Sequence, residues 1–233
     1  MNIKSTLIIP GLMLAGAAVT NATVIGFGNL GGSNTTVPAA LGSRASAAGN
    51  GFVVTNGTTP NIVTSWDANW DIHTSGHFTN LENLTVGGGD WDNQGSIPRV
   101  GQLDFGTHSI TFSADAGYAL VLGSFDFAHT AETLGTTQWT LSLTAISTSS
   151  VVWTQSLTLN NNPAANAVVK VTPNFTGALG EDYTLTFTRT SETYSSNGRH
   201  AIDNLSFTQV PEASMAGLAG LGVASLLVRR RRR

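Results

Sequence analysis

Apolar and polar residues alternate one for one through much of this chain, the period of a β-strand buried on one face. From Gln138 to Ile146, Trp139, Leu141, Leu143 and Ala145 share one side, while Thr140, Ser142 and Thr144 share the other. Tyr183, Leu185 and Phe187 repeat the pattern against Thr184, Thr186 and Thr188. Val151, Trp153, Leu157 and Leu159 fall on one face of a further strand, with Gln155 interrupting the row. Tyr118–Ala128 is longer and more apolar and predicts a central strand, and His108–Ser113, Val168–Thr172 and His200–Phe207 are also predicted strands. In His200–Phe207 the alternation fails at Asn204-Leu205, which predicts a bulge.

Turn chemistry separates these runs at Ala116-Gly117, Gly135-Thr136, Asn160–Pro163 and Gly177–Glu181. Gly31–Gly51, rich in Gly, Ala, Ser and Asn, reads as a long surface connection, and Gly87–Asp90 as a loop. No run in the body has a capped 3.6-residue period. The pattern therefore predicts an all-β body, an antiparallel, jelly-roll-like β-sandwich of about ten short strands.

Both ends break this pattern. Lys4 precedes the apolar run Leu7–Val19, and Thr20-Asn21-Ala22 ends on a small residue. This reads as a secretory signal peptide cleaved between Ala22 and Thr23. At the other end Ala213–Val228 holds sixteen apolar or small residues without a charge, followed by Arg229, Arg230, Arg231, Arg232 and Arg233. As a helix that stretch spans roughly 24 Å, somewhat less than the ~30 Å hydrocarbon core. Snorkelling arginines and local thinning close such a gap. The expectation is a short transmembrane helix with the arginines on the cytoplasmic side. Pro211 biases Val210 toward an extended backbone, which predicts an accessible, non-helical joint outside the membrane.

The domain order is then a signal peptide (1–22), a β-sandwich (23–209) and a sorting or anchor segment (210–233). Removing the end segments changes the charge. Arg44, Arg99, Lys170, Arg189 and Arg199 stand against thirteen carboxylates, so the body carries −8 where the whole chain carries −3. Such a surface argues against nucleic acid as a partner. The chain has no cysteine, which excludes disulfides, thiolate metal sites and cysteine nucleophiles.

Val210-Pro211-Glu212, the short apolar run and the terminal arginine block resemble the PEP-CTERM sorting domain of Gram-negative bacteria, with Ala213 standing where that family has a second proline. The resemblance covers residues 210–233 alone. It implies recognition by an exosortase, a membrane-embedded cysteine transpeptidase that removes the helix and delivers the protein toward the cell surface. The family often travels with exopolysaccharide production. Separately, Ile202-Asp203-Asn204-Leu205 resembles the closing strand of carbohydrate-binding jelly-rolls, and Ala119–Phe127, with Asp126, is loosely similar to them. In several such families the acidic residue helps to hold a structural calcium, which that resemblance implies for Asp203.

Asp90-Trp91-Asp92 follows three glycines and offers alternating oxygen ligands, so Asp90 and Asp92 are also candidate calcium ligands; beyond calcium no cofactor is expected. Trp66-Asp67 and Trp70-Asp71 pair tryptophan with carboxylate four residues apart. On one strand that spacing puts both rings on one face, as a sugar-stacking surface would; the plainer reading is that both fill the core. His73 and His77 lack a third zinc ligand and a zincin motif. No nucleophile elbow or phosphate-binding glycine loop is present.

The expected function is that of a non-catalytic surface or extracellular-matrix protein. Its partners would be the export machinery and signal peptidase, an exosortase-type transpeptidase, and extracellular polysaccharide. The protein would be exported and held in the inner membrane before processing, then displayed at the cell surface or released outside. The alternative is a secreted glycan hydrolase or lyase on the same scaffold, which needs two carboxylates converging across a cleft.

Overall fold

The strands form where one-for-one alternation supplies an apolar face, and among the described residues they pair into two large antiparallel sheets and one two-stranded ribbon. The computed structural model describes residues 22–27, 30, 35–46, 54–55, 57–74, 85–86, 89–90, 99–103, 106–130, 135–161, 167–192 and 199–212. The apolar run near the amino end, Ala213, Asp92, His77 and Arg229–Arg233 lie outside these residues. Among the described residues, no helix is long and apolar enough to cross a membrane.

The strands are β1 (Thr23–Ile25), β2 (Thr35–Thr36), β3 (Val54–Thr55), β4 (Ile62–Trp66), β5 (Trp70–Thr74), β6 (Thr85–Val86), β7 (Gly89–Asp90) and β8 (Arg99–Leu103). They continue with β9 (Thr107–Ala114), β10 (Tyr118–Thr130), β11 (Gly135–Ala145), β12 (Ser150–Asn161), β13 (Ala167–Val171), β14 (Phe175–Thr176), β15 (Tyr183–Glu192) and β16 (Arg199–Pro211). One sheet has nine strands, with the order β13-β10-β16-β8-β5-β2 as its spine and β1, β3 and β14 attached beside it. The second has five, in the order β12-β11-β15-β9-β4. From β9 onward the chain crosses between the sheets at nearly every step, and among these longer strands only β11 and β12 form a hairpin.

The apolar faces of the two sheets meet in one core. Phe125 and Phe127 of β10 face Phe187 of β15 and Trp139 of β11, with ring centroids 5.5 Å apart for Phe125–Phe187 and Phe127–Trp139. Leu141, Leu143, Leu185, Ile110 and Phe112 from the five-stranded sheet are fully buried, as are Leu120, Leu122, Ile202 and Leu205 from the other. β10 is interior to its sheet, paired with both β13 and β16, as its apolar sequence predicts.

The predicted bulge is present. Ser124 faces Ser206 and Asp126 faces Asp203, so β16 fits one more residue into that interval than β10 does. Asn204 takes it up with φ of 54°, a left-handed conformation that asparagine tolerates better than most residues.

Several local expectations are corrected. Gly135-Thr136 begins β11 and Asn160-Asn161 ends β12, because the hairpin ladder runs to its limit at Gly135↔Asn161. Gly89-Asp90 is strand rather than loop. Val151 does not join the inner row of β12. A register shift between Leu143 and Thr144 inserts an extra residue and turns Val151 outward, 59% exposed. Within 31–51, Val37, Leu41 and Ala45 are buried, so this stretch is core as well as surface. Small residues permit that close approach: Gly42 adopts φ of 79°, and a Cβ there would collide with Ile25 Cδ1.

Candidate functional site

Trp66 closes β4 of the five-stranded sheet, and Trp70 opens β5 of the nine-stranded one. The residues between them make the crossing. Asp67 Oδ1 accepts the Asn69 N–H at 2.9 Å, the local bond that favours a turn. Asp67 Oδ2 accepts from the Ser109 hydroxyl at 3.0 Å and also from the Ser109 N–H. The two indoles therefore meet edge to face across the interior, with centroids 5.1 Å apart, instead of lining one strand.

Trp66 is 3% exposed and Trp70 0%. Their N–H groups donate to Leu41 O at 2.8 Å and Ser109 O at 3.0 Å. Neither ring is open to a sugar, which corrects the reading of these residues as a stacking face. The Asp67 carboxylate is committed to the turn, and Asp71 sits within β5, paired in register with Thr36 and Gln102. Among the described residues, no Trp, Tyr or Phe is exposed.

On the nine-stranded sheet, Asp126 lies between the core-facing Phe125 and Phe127 and so points to the outer face. Its cross-strand partner is Asp203, and the two are 2% and 0% exposed. Farther along the same face, Ala128, Ala201, Val100 and Val168 form a small apolar cluster. Asn204, placed by the bulge, donates its amide N–H to Asp126 Oδ2 at 2.8 Å. Asp126 Oδ1 is buried without a hydrogen-bond partner. Burial pushes the Asp126 carboxyl above its ordinary value of 3.8, against the opposing pull of Asn204 and of Lys170, its register partner on β13.

Calcium needs six to eight oxygens. The two carboxylates supply four at most, and Asn204 turns its amide N–H toward Asp126. Among the described residues, no group of three or more His, Asp or Glu side chains could hold a metal. Asp90 lies in β7, and Asp92 lies outside the described residues. His73 is buried in β5. The donor set fits a proton at Asp126 better than a cation.

This arrangement carries a pH prediction. The fold favours protonated Asp126, so the folded chain binds an extra proton between pH 3.8 and the raised value. Acidifying from neutrality through that window should stabilise the protein, with the gain complete below 3.8. Asp126→Asn should abolish this rise and add about 1 kcal/mol at pH 7, the scale of relieving a poorly satisfied buried polar group. Chemical denaturation of both proteins between pH 4 and 7 would check it. A wild-type curve that falls on acidification in parallel with the variant would refute it. A Tm increase with calcium at pH 7, lost in the variant, would make the pair a cation site.

The outer face of the five-stranded sheet is of another kind. Register aligns three rows of hydroxyls: Ser156–Thr140–Thr188–Thr107, Thr154–Ser142–Thr186–Ser109, and Thr144–Thr184–Thr111–Ser65. All twelve side chains are half-buried or exposed. Spacing is about 4.8 Å across strands and about 6.8 Å along them. Thr111 and Thr184 bond to each other at 3.2 Å. Each hydroxyl both donates and accepts, so the face suits water or a neutral polyhydroxyl chain. The alternation shows these residues opposite the core, but only the strand order reveals that they form one surface.

At the chain's expected joints, Thr23 opens β1. It is fully buried, and its hydroxyl bonds that of Thr59 at 2.8 Å, while Ala22 precedes the strand. β1 runs antiparallel to β16, with Thr23 opposite Phe207. Val210 and Pro211 are extended as Pro211 predicts, but they are not a free joint. They pair with Ala119 and Tyr118 of β10, and the Glu212 N–H donates to Gly117 O at 2.6 Å.

No family model matches this sequence, and no curated protein matches it. Among solved structures it is similar to a non-crystalline cellulose specific carbohydrate-binding module, at 12% identity and a TM-score of 0.35, covering 76% of this chain and 96% of that one. It is similar to a family 11 carbohydrate-binding module from Clostridium thermocellum, solved with a β-1,3-1,4-mixed-linked tetrasaccharide, at 12% identity and TM-score 0.27, covering 66% and 89%. It also matches an arabinose-bound α-L-arabinofuranosidase at 10% identity and TM-score 0.38, covering 84% of this chain but only 27% of that enzyme. Such identities and scores leave function to this chain's own surfaces.

Proposed function

We propose that this protein is an exported, non-catalytic component of a bacterial surface or extracellular matrix, sorted through its C-terminal segment. One observation carries the reading. The first described strand starts at Thr23, the expected first residue after signal cleavage, and the last ends at Pro211, within the sorting motif. The β-body thus fills the interval between the expected signal peptide and the expected membrane segment, with Val210 and Pro211 of the motif as its last rung. In this reading the export machinery and signal peptidase act first, and an exosortase-type transpeptidase acts on Val210–Ala213.

The surface chemistry supports the non-catalytic part. Asp126 and Asp203 are cross-strand partners, but both are buried, whereas glycoside hydrolysis needs two carboxylates that flank a substrate. The neutral hydroxyl rows suit extracellular polysaccharide, and they take over the role expected of Trp66 and Trp70. Intact mass of the protein by cell fraction in its native host tests the sorting. The expected surface form lacks Met1–Ala22 and the C-terminal apolar segment; surface material ending at Arg233 would overturn the proposal.

A further inference from the structure

β12 is an edge strand. Among the described residues it pairs only with β11, and its other side closes no ladder. Exposed edges are templates for strand addition, and proteins usually blunt them with short length, lysine, proline or bulges. β12 is twelve residues long, about 40 Å, and contains neither a charged residue nor a proline. Its one irregularity lies toward the amino end, where the extra residue falls near Val152. Thr154–Asn161 continues in regular register with Gly135–Ser142.

The direction of its backbone groups follows from one bond. Thr154 Oγ1 donates to Leu141 O at 3.1 Å, which places that carbonyl on the β12 side. Antiparallel ladders alternate, so Leu141↔Gln155 and the pairs two residues away exchange backbone bonds. Thr154, Ser156 and Thr158 then turn their N–H and C=O outward to the open edge.

We propose that β12 pairs antiparallel with β12 of a second copy about a two-fold axis, joining two five-stranded sheets into one of ten. Charge selects this partner and place. A body of −8 repels its copy over most of its surface, but not along an uncharged strand. A two-fold interface brings the same patch to both sides, and an antiparallel strand pair satisfies that with any centre of register. Val151 and Val152, 59% and 42% exposed, would be covered at the ends of the joint. The hydroxyl rows ending at Ser156 and Thr154 would run on into the partner's rows. The inference stands apart from the sorting proposal, because it uses only the folded body.

A chain without cysteine allows a clean test. Single cysteines at Val152, Thr154, Ser156 and Thr158, with Ser65→Cys on the opposite edge as control, are treated in the full-length protein in mild detergent with a short bismaleimide. The expected result is a covalent dimer that peaks at one β12 position, or two adjacent ones, and is absent at Ser65. Association through the apolar end segments would link Ser65 and β12 alike and overturn the proposal, as would no linkage anywhere. A product in host cells heavier by something other than one further copy would assign the edge to another partner. Ser156→Pro removes only an outward N–H and should lose the dimer with its far-UV circular dichroism unchanged. Should that variant misfold, Val152→Lys provides the same test by charge, and dimerisation that survives it refutes the pairing.

Discussion

Trp70→Ala should lower stability by about 3–5 kcal/mol, the cost of emptying a large aromatic site in a packed core. The ring is wholly buried and packs edge-on against Trp66, His108 and Phe187, with centroids 5.1, 5.4 and 5.3 Å away. It also ties β5 to β9 through the Ser109 carbonyl. Domains are stable by only about 5–15 kcal/mol, so the loss should move Tm by on the order of 10 °C in a body of this size. The same variant separates two ideas about glycan contact. Retention on the host's polysaccharide, measured well below the lowered Tm, should be unchanged by Trp70→Ala and lost when Ser142 and Thr186 are both changed to lysine. A destabilisation under about 1 kcal/mol, with glycan retention abolished, would return Trp70 to the surface and sink both the core placement and the hydroxyl-face reading.

Changing Pro211 and Glu212 together, to Ala and Gln, should abolish C-terminal processing while leaving export intact, so that full-length protein minus Met1–Ala22 accumulates in the inner membrane. The body should survive the change. Pro211 is at the last position of β16 and Glu212 lies just beyond it. Replacing proline there leaves the pairing of Ala119 with Val210 in place. Fraction-resolved mass spectrometry decides the matter: a processed C-terminus in the variant would remove the motif from any role in sorting.

Most strands were legible because alternation is a local property. Trp139, Leu141 and Leu143 against Thr140, Ser142 and Thr144 need no knowledge of neighbours, and the break at Asn204-Leu205 marked its own bulge. The site was less legible because it depends on which strand meets which. Even spacing placed Trp66 and Trp70 on one face only if they shared a strand. Asp67 instead turns the chain from one sheet to the other, and the indoles meet inside. The threonines of β11 and β15 were visible as outward residues, but adjacency with β9 and β12 makes them a surface. Composition misjudged 31–51, where Gly42 lets Leu41 and its neighbours enter the core. Asp126 and Asp203 were each visible in their strands. Their direct opposition was not, since it depends on β10 pairing with β16 and on two register shifts, between Leu122 and Ser124 and between Ser124 and Asp126, that cancel each other.

The last ladder pairs of β16 have a consequence for timing. If a transpeptidase must seize Val210–Ala213 as an open chain, it competes with β10 for the same two residues, and the Glu212 bond to Gly117 closes the contest from the far side. Maturation speed would then follow how often the final rung frays. A loosened body would be clipped sooner than a sound one, and a mutation at Tyr118 or Ala119, remote in sequence from the signal, would act as an accelerator.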